Sequence, residues 1–158
     1  MNYNLACLDD IINIVNNFTR KFDCEAFPDT DFWVDICTNE IHFALVCSEN
    51  SEKEFMESVY RCNPKVKMDI FLWSLLHEIF HVETFDDLTQ EEIDYSEDTK
   101  DLIKRGLVDH REYYNLPIEQ LATEGAVKYA NTHVDELAAF WSELQPAIME
   151  FYELNDIH

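Results

Sequence analysis

The stretch Leu75-Leu76-His77-Glu78-Ile79-Phe80-His81 sets two histidines four residues apart, with a glutamate directly after the first. Apolar residues flank it on both sides, which predicts a helix that crosses the core of a domain, from about residue 67 to residue 82. Side chains at i and i+4 project from the same helical face, one turn apart. Two imidazoles at this spacing suit two ligands of a tetrahedral Zn²⁺.

Glu78 is expected to lie beside such an ion rather than on it. From there its carboxylate can accept a proton from a metal-bound water, whose pKa the ion lowers to roughly 7. The alternative is an ordinary helix whose histidines are only hydrogen-bonded. Histidine and glutamate are costly to bury without a partner, so the metal site is favoured.

A zinc ion held by two histidines needs a third protein ligand, and the sequence offers several carboxylates and histidines. A histidine six residues after His81 is excluded, because that position is Asp87. The better candidate is Glu119, on the helix that is expected to begin at Pro117 and to end near Asn131. Ala122 lies one turn after Glu119, and its small side chain would let this helix approach the first one closely.

These residues resemble the ImmA/IrrE-like metallopeptidases, small gluzincin-like domains that pair HExxH with a downstream Glu-x-x-Ala helix. The resemblance covers roughly residues 31 to 131. It implies a zincin-like α+β domain in which a helix, a short sheet, the HExxH helix and the Glu helix follow one another. It further implies that His77, His81 and Glu119 bind Zn²⁺ and that Glu78 is the general base.

Two positions depart from the family pattern. Phe80 stands where members usually have a small residue, and it is expected to crowd the helix and narrow the cleft. Thr123 stands where they have an acidic or amide residue, and it is expected to lose a contact to a zinc-bound imidazole.

A donor for the developing oxyanion is also required, and the segment before the Glu helix offers His110, Tyr113 and Tyr114. His110 and Tyr114 are retained as catalytic candidates, with hydrophobic packing of the tyrosine pair as the alternative. The other histidines, His42, His133 and His158, are interpreted as structural or solvated.

The formal net charge of −22, from 33 acidic and 11 basic residues, argues against direct binding of nucleic acid. Charge of this sign could serve solubility alone, or it could bind a basic or DNA-binding protein. It is densest in one acidic stretch: Asp86, Asp87, Glu91, Glu92, Asp94, Glu97 and Asp98.

The length of 158 residues predicts a single domain over residues 1–158. No apolar run reaches the roughly 18 residues of a membrane span, and no leader is recognisable, so a cytoplasmic protein without membrane contact is expected. Five scattered cysteines without a Cys-x-x-Cys spacing indicate reduced thiols rather than disulfides or a thiolate metal site.

Hydrophobic periodicity places the remaining elements. A helix is expected over residues 5 to 22, a turn at Phe27-Pro28-Asp29 and an antiparallel hairpin over residues 31 to 48. A capping box at Ser51 and Glu54 is expected to open a helix to Arg61. Residues 83 to 98 predict a mobile loop or a short surface helix starting near Thr89, able to act as a lid. Gly106 is expected to close a helical turn over residues 98 to 105, Thr132 to cap the last helix, and Pro146 to kink or split it.

The sequence thus predicts a mostly helical α+β, zincin-like domain with a short antiparallel sheet packed on the HExxH helix. Its expected function is zinc-dependent hydrolysis of a peptide or protein substrate, as a peptidase or amidase. The alternative is a non-catalytic binding protein of the same fold that uses its acidic surface to block a basic or DNA-binding partner.

Overall fold

The computed structural model describes residues 3–46 and 49–157, and for residues 49–51 it describes the backbone only. Two short 3-10 turns, at Arg20–Phe22 and Phe85–Asp87, and a longer one at His110–Asn115 join the main elements. In chain order those elements are α1 (Leu8–Thr19), β1 (Glu25–Asp29), β2 (Trp33–Asp35), β3 (Glu40–Ala44), α2 (Glu49–Arg61), α3 (Ile70–Thr84), α4 (Gln90–Lys104), α5 (Pro117–Thr132) and α6 (Val134–Leu154). The fold is therefore mostly helical, with a small sheet, and of the α+β class.

The sheet is mixed rather than purely antiparallel. Its strand order is β1-β3-β2, with β1 parallel and β2 antiparallel to the central strand. The predicted hairpin is confirmed as β2 and β3, but the predicted turn at residues 27 to 29 is wrong, because these residues belong to β1. Pro28 is tolerated there because β1 is an edge strand, where a missing N–H need not break the ladder. The predicted strand residue Cys47 lies outside the described residues.

The HExxH sequence lies on α3, which begins after Asp69. The Asp69 carboxylate accepts a hydrogen bond of 2.8 Å from the backbone N–H of Phe71 and so caps the first turn. The helix is apolar on nearly all sides, and Trp73, Leu75 and Leu76 are almost fully buried. It packs along α5 and also contacts β2 and β3, so the predicted packing of the sheet on this helix is confirmed.

Small side chains on α5 allow α3 to approach it closely. Ala122, Ala126 and Ala130 follow one another at four-residue intervals and are all buried. Gly125 faces α3 as well: a Cβ atom there would lie 2.7 Å from Cδ1 of Phe80. Pro117 occupies the first turn of α5, as predicted.

The segment after α3 is more ordered than the sequence indicates. Of the two predicted alternatives, the helix starting near Thr89 is confirmed and the mobile loop is wrong: residues 90 to 104 form one 15-residue helix, α4, which is longer than the short helix expected. Its start is fixed by a capping box between Thr89 and Glu92. Gly106, at φ 73°, ends it: the Gly106 and Leu107 N–H groups donate to the carbonyls of Ile103 and Leu102.

Three further predictions concern helix ends. Because α2 begins at Glu49, Ser51 falls within the helix, and its side chain lies outside the described residues. Thr132 is the last residue of α5 and donates back to the Lys128 carbonyl, so it does not cap α6. Pro146 lies inside α6, which continues unbroken past it to Leu154.

Among the described residues, no helix is both long and apolar enough to cross a membrane. The four described cysteines, Cys7, Cys24, Cys37 and Cys62, are all free thiols.

Candidate metal centre

Three side chains from two helices converge in the core between α3 and α5. His77 and His81 come from successive turns of α3, and Glu119 comes from the first turn of α5. One ligand atom of each lies within 4.8 Å of the others, and all three side chains are buried. The four-residue spacing puts both histidines on one face of α3, and Pro117 starts α5 so that Glu119 falls in its first turn.

The Glu119 carboxylate lies between the two imidazoles. Its Oε1 is 3.3 Å from Nε2 of His77, and its Oε2 is 2.9 Å from Nε2 of His81. Burial alone would raise the pKa of Glu119, but the charge and hydrogen bonds of the two histidines outweigh it, and the pKa is held well below its usual value. The carboxylate is therefore ionised, although only 2% of the residue is exposed.

Thr123 sets the proton position on His77. Its Oγ1 lies 3.0 Å from Nδ1 of His77 and also donates a hydrogen bond of 3.1 Å to the Glu119 carbonyl. With its proton used there, Oγ1 can accept a hydrogen bond from the imidazole, which favours a hydrogen on Nδ1 of His77. In the neutral ring, Nε2 then presents a lone pair to the carboxylate.

Two acceptors that face each other at 3.3 Å in a buried site need a cation between them, either a proton or a metal ion. The residue types match a metal: two imidazole nitrogens and one carboxylate oxygen are the ligand set of many catalytic zinc sites. A threonine hydroxyl that orients the outer nitrogen of a ligating histidine is the expected supporting contact. The residues present therefore fit Zn²⁺.

The expectation that Thr123 loses the contact to an imidazole is wrong. Thr123 lies one turn after Glu119, so both side chains share the helical face towards α3. The close approach of the two helices at Ala122 brings even this short side chain to within hydrogen-bond distance of His77.

Phe80 does not line the cleft, contrary to expectation. Its ring packs against Phe22 and Tyr129, at centroid distances of 6.0 and 5.7 Å, and above Gly125. The glycine on α5 makes room for the bulky ring on the side of α3 that carries no ligand.

Two cavities meet at the candidate metal ligands. One, of about 250 Å³, is bounded by His77, and the other, of about 220 Å³, by His81. Glu78, Glu119, Tyr113 and Phe32 line both cavities. The three candidate ligands therefore lie beside a cleft that continues past them on either side.

Glu78 is not part of the ligand group and borders both cavities. Desolvation raises the pKa of its carboxyl group to about 7, with Glu119 adding to the rise and His77 and Lys100 opposing it. A carboxylate in this position can contact water or a substrate in either arm of the cleft.

The three predicted oxyanion donors are placed differently. Tyr114 lines the cavity beside His77 and packs at a tilt against Phe55, whereas His110 is exposed and lies 2.7 Å from a carboxylate oxygen of Glu54. His110 lines neither cavity. Tyr113 lines both, and burial raises its pKa, so its hydroxyl keeps its proton and can donate.

Lys100 is a cleft residue that sequence reasoning missed. Its Nζ lies 3.5 Å from Oε2 of Glu119 and 5.3 Å from the ring centre of Tyr113. It reaches the cleft because α4 is a continuous helix that packs on α5 through the buried Ser96, four residues earlier on the same face.

The remaining histidines lie outside this site. His42 stacks on Trp33 at a centroid distance of 3.8 Å, and His133 stacks on Tyr129 at 4.0 Å. His158 lies outside the described residues.

No protein-family model, no curated protein and no solved structure matches this chain.

Proposed function

We propose that this chain is a zinc-dependent hydrolase, a peptidase or amidase of the ImmA/IrrE-like zincin type. The observation that carries the proposal is the buried group of His77, His81 and Glu119, with Oγ1 of Thr123 at 3.0 Å from the outer nitrogen of His77. With the hydrogen of a neutral His77 ring on Nδ1, a metal ion between Nε2 and the Glu119 carboxylate would separate two facing acceptors. Zn²⁺ bound by these three residues would polarise a carbonyl and lower the pKa of water.

Glu78 serves as general base and then as general acid. It borders both arms of the cleft, so its carboxylate can take a proton from the attacking water and deliver it to the leaving amine. Tyr113 and Lys100 line the cleft at the candidate ligands, and each offers a proton donor for the carbonyl oxygen as its negative charge develops.

An extended peptide fits this cleft through the edge of the sheet. Among the residues that the structure describes, strand β2 pairs with β3 alone, and its residues Trp33 and Val34 line the cavity beside His81. The backbone of a substrate could pair with the free side of β2, which would hold the scissile bond near Glu78. This arrangement favours a peptide or protein substrate over a small amide.

The experiment compares Glu78→Gln with the parent protein, both loaded with zinc, against peptide libraries analysed by mass spectrometry. The substitution should reduce hydrolysis by roughly 10²- to 10⁴-fold while bound zinc is unchanged, because Glu78 acts on water and does not bind the metal. Glu83→Gln, an exposed carboxylate on the same helix, is the matched control and should cleave like the parent. Equal cleavage by the Glu78 variant would exclude this residue as the base.

The acidic surface supports a second candidate function, the binding of a basic protein. Six of the seven residues of the acidic stretch are exposed, and none of the seven forms an ion pair within the described part of the chain. The seventh, Glu92, is only partly exposed, because its side chain belongs to the capping box of α4. Unpaired carboxylates on one face can attract a cationic partner.

Salt and charge variants test this candidate. Complex formation should weaken steeply with ionic strength, since exposed charges more than about 10 Å apart are screened near 0.1 M salt. Neutralising Asp86, Asp87, Glu91 and Asp94 together should slow association far more than Glu78→Gln does. If a cell extract yields no partner at low salt for the parent protein, and zinc-loaded protein hydrolyses peptides, the charge serves solubility alone.

A further inference from the structure

A groove of about 440 Å³ runs between the end of α2, the segment that follows it, and α5. Three basic side chains line it, Arg61, Lys65 and Lys128, against one carboxylate, Glu124. The chain as a whole has 33 acidic and 11 basic residues. The charge balance inside this groove is therefore the reverse of the balance over the rest of the protein.

Among the described residues, these three cations have no carboxylate partner. Arg20, Lys21, Lys100, Arg105 and Arg111 each lie within 4.0 Å of an acidic oxygen. Arg61, Lys65 and Lys128 form no such pair with any residue that the structure describes. Lys53, Lys67 and Lys104 form no such pair either, but they do not line the groove, whereas Arg61, Lys65 and Lys128 line it together and leave their charge available to a ligand.

Neutral donors complete the lining. Oδ1 of Asn131 accepts a hydrogen bond of 2.7 Å from the backbone N–H of Lys65, which leaves the amide N–H groups of Asn131 as donors. Arg61 borders the groove and a neighbouring cavity, and it donates to Oδ1 of Asn115 in that cavity at 2.7 Å, which leaves its other N–H groups as donors. The groove thus offers positive charge and N–H donors together.

We propose that this groove binds a small molecule through a diphosphate or longer phosphate chain. Several oxygens on one anion can engage the guanidinium and both ammonium groups at once, which a single carboxylate cannot do. The volume exceeds the needs of one phosphate and falls within the range of small-molecule sites. The net charge of the protein does not prevent this, because fields from charges beyond about 8 Å are screened at physiological salt.

The site is separate from the candidate metal centre. Tyr114 lines both the groove and the cavity beside His77, but none of the candidate metal ligands lines the groove. Binding should therefore persist in His81→Ala, which removes a candidate zinc ligand. The phosphate site and the proposed hydrolase activity can fail independently.

Titration calorimetry with inorganic pyrophosphate at about 0.15 M salt tests the proposal. One saturable site is expected in the parent protein and, with the same affinity, in His81→Ala. The double variant Lys65→Gln/Lys128→Gln should bind at least about tenfold more weakly, because each substitution removes a charged contact. Lys53→Gln/Lys104→Gln, with the same change in net charge at cations outside the groove, is the control and should bind like the parent.

A second titration, with ATP, distinguishes a nucleotide ligand from a phosphate chain without a base. Tighter binding of ATP than of pyrophosphate identifies a nucleotide ligand, and equal binding identifies the phosphate chain alone. The proposal is overturned if pyrophosphate does not saturate a site, if both double variants lose affinity equally, or if binding disappears in His81→Ala. It is also overturned if an acidic peptide or citrate binds the groove and pyrophosphate does not.

Discussion

Substituting Thr123 with valine removes one hydroxyl group and keeps the shape of the side chain. Thr123 is 1% exposed and His77 is 4% exposed, so water cannot replace the lost contact of 3.0 Å to Nδ1 of His77. When a metal occupies Nε2, the proton must stay on Nδ1, and the variant buries that N–H without an acceptor. Without metal, the ring can shift its proton to Nε2 and donate to Glu119 instead. The penalty therefore falls on the metal-bound state.

An unsatisfied buried donor costs about 1–3 kcal/mol, and each 1.4 kcal/mol is a factor of ten in affinity. Thr123→Val should thus bind Zn²⁺ roughly 10 to 100 times more weakly than the parent, which is the range found for supporting contacts of metal ligands. Competition with a chromogenic zinc chelator measures this difference. Thr123→Ser, which keeps the hydroxyl, is the control and should stay much closer to the parent. If the valine variant binds zinc as tightly as the parent, the assigned proton position on His77 is wrong.

Two further predictions concern packing and thiol chemistry. Gly125→Ala should destabilise the protein in denaturant unfolding although alanine favours a helix by about 1 kcal/mol, because the new Cβ would lie 2.7 Å from Cδ1 of Phe80 and overpacking costs about 1–3 kcal/mol. In a double-mutant cycle, Gly125→Ala should destabilise the protein less when Phe80 is already alanine, because the clashing ring is then absent. A Gly125→Ala protein as stable as the parent would contradict the clash. Burial, with smaller contributions from Glu83 and Asp23, raises the pKa of Cys24 to about 11, and the reactive thiolate therefore stays scarce below that pH. Iodoacetamide at pH 8 should label the exposed Cys37 in the native protein but Cys24 only after unfolding, and comparable labelling rates would refute the buried position of Cys24.

The sequence predicted the candidate ligands because two regular features determine their positions. The four-residue spacing of His77 and His81 fixes their common face once the helix is assigned. Pro117 fixes the start of α5, which places Glu119 in its first turn. Both are local properties of the chain, so neither depends on knowing the tertiary structure.

The failed predictions depended on contacts between distant segments. Thr123 contacts His77, and Phe80 avoids the cleft, because the small residues of α5 set the distance to α3. Strand β1 was missed because Pro28 is acceptable only at a sheet edge, and edge positions follow from the strand order. Lys100 was missed because the packing of α4 on α5, which brings this side chain to Glu119, depends on segments far apart in the chain.

The zinc content of the purified protein, measured by elemental analysis after incubation with Zn²⁺ and removal of the free ion, tests the central claim most directly. We expect one bound Zn²⁺ per chain in the parent and in Glu78→Gln, and none in His81→Ala. Zinc should also raise the melting temperature of the first two proteins only, since a ligand that binds the native state alone stabilises it by mass action. A parent protein that retains no zinc, or a His81→Ala variant that retains it stoichiometrically, would contradict the assignment of His77, His81 and Glu119 as a metal centre.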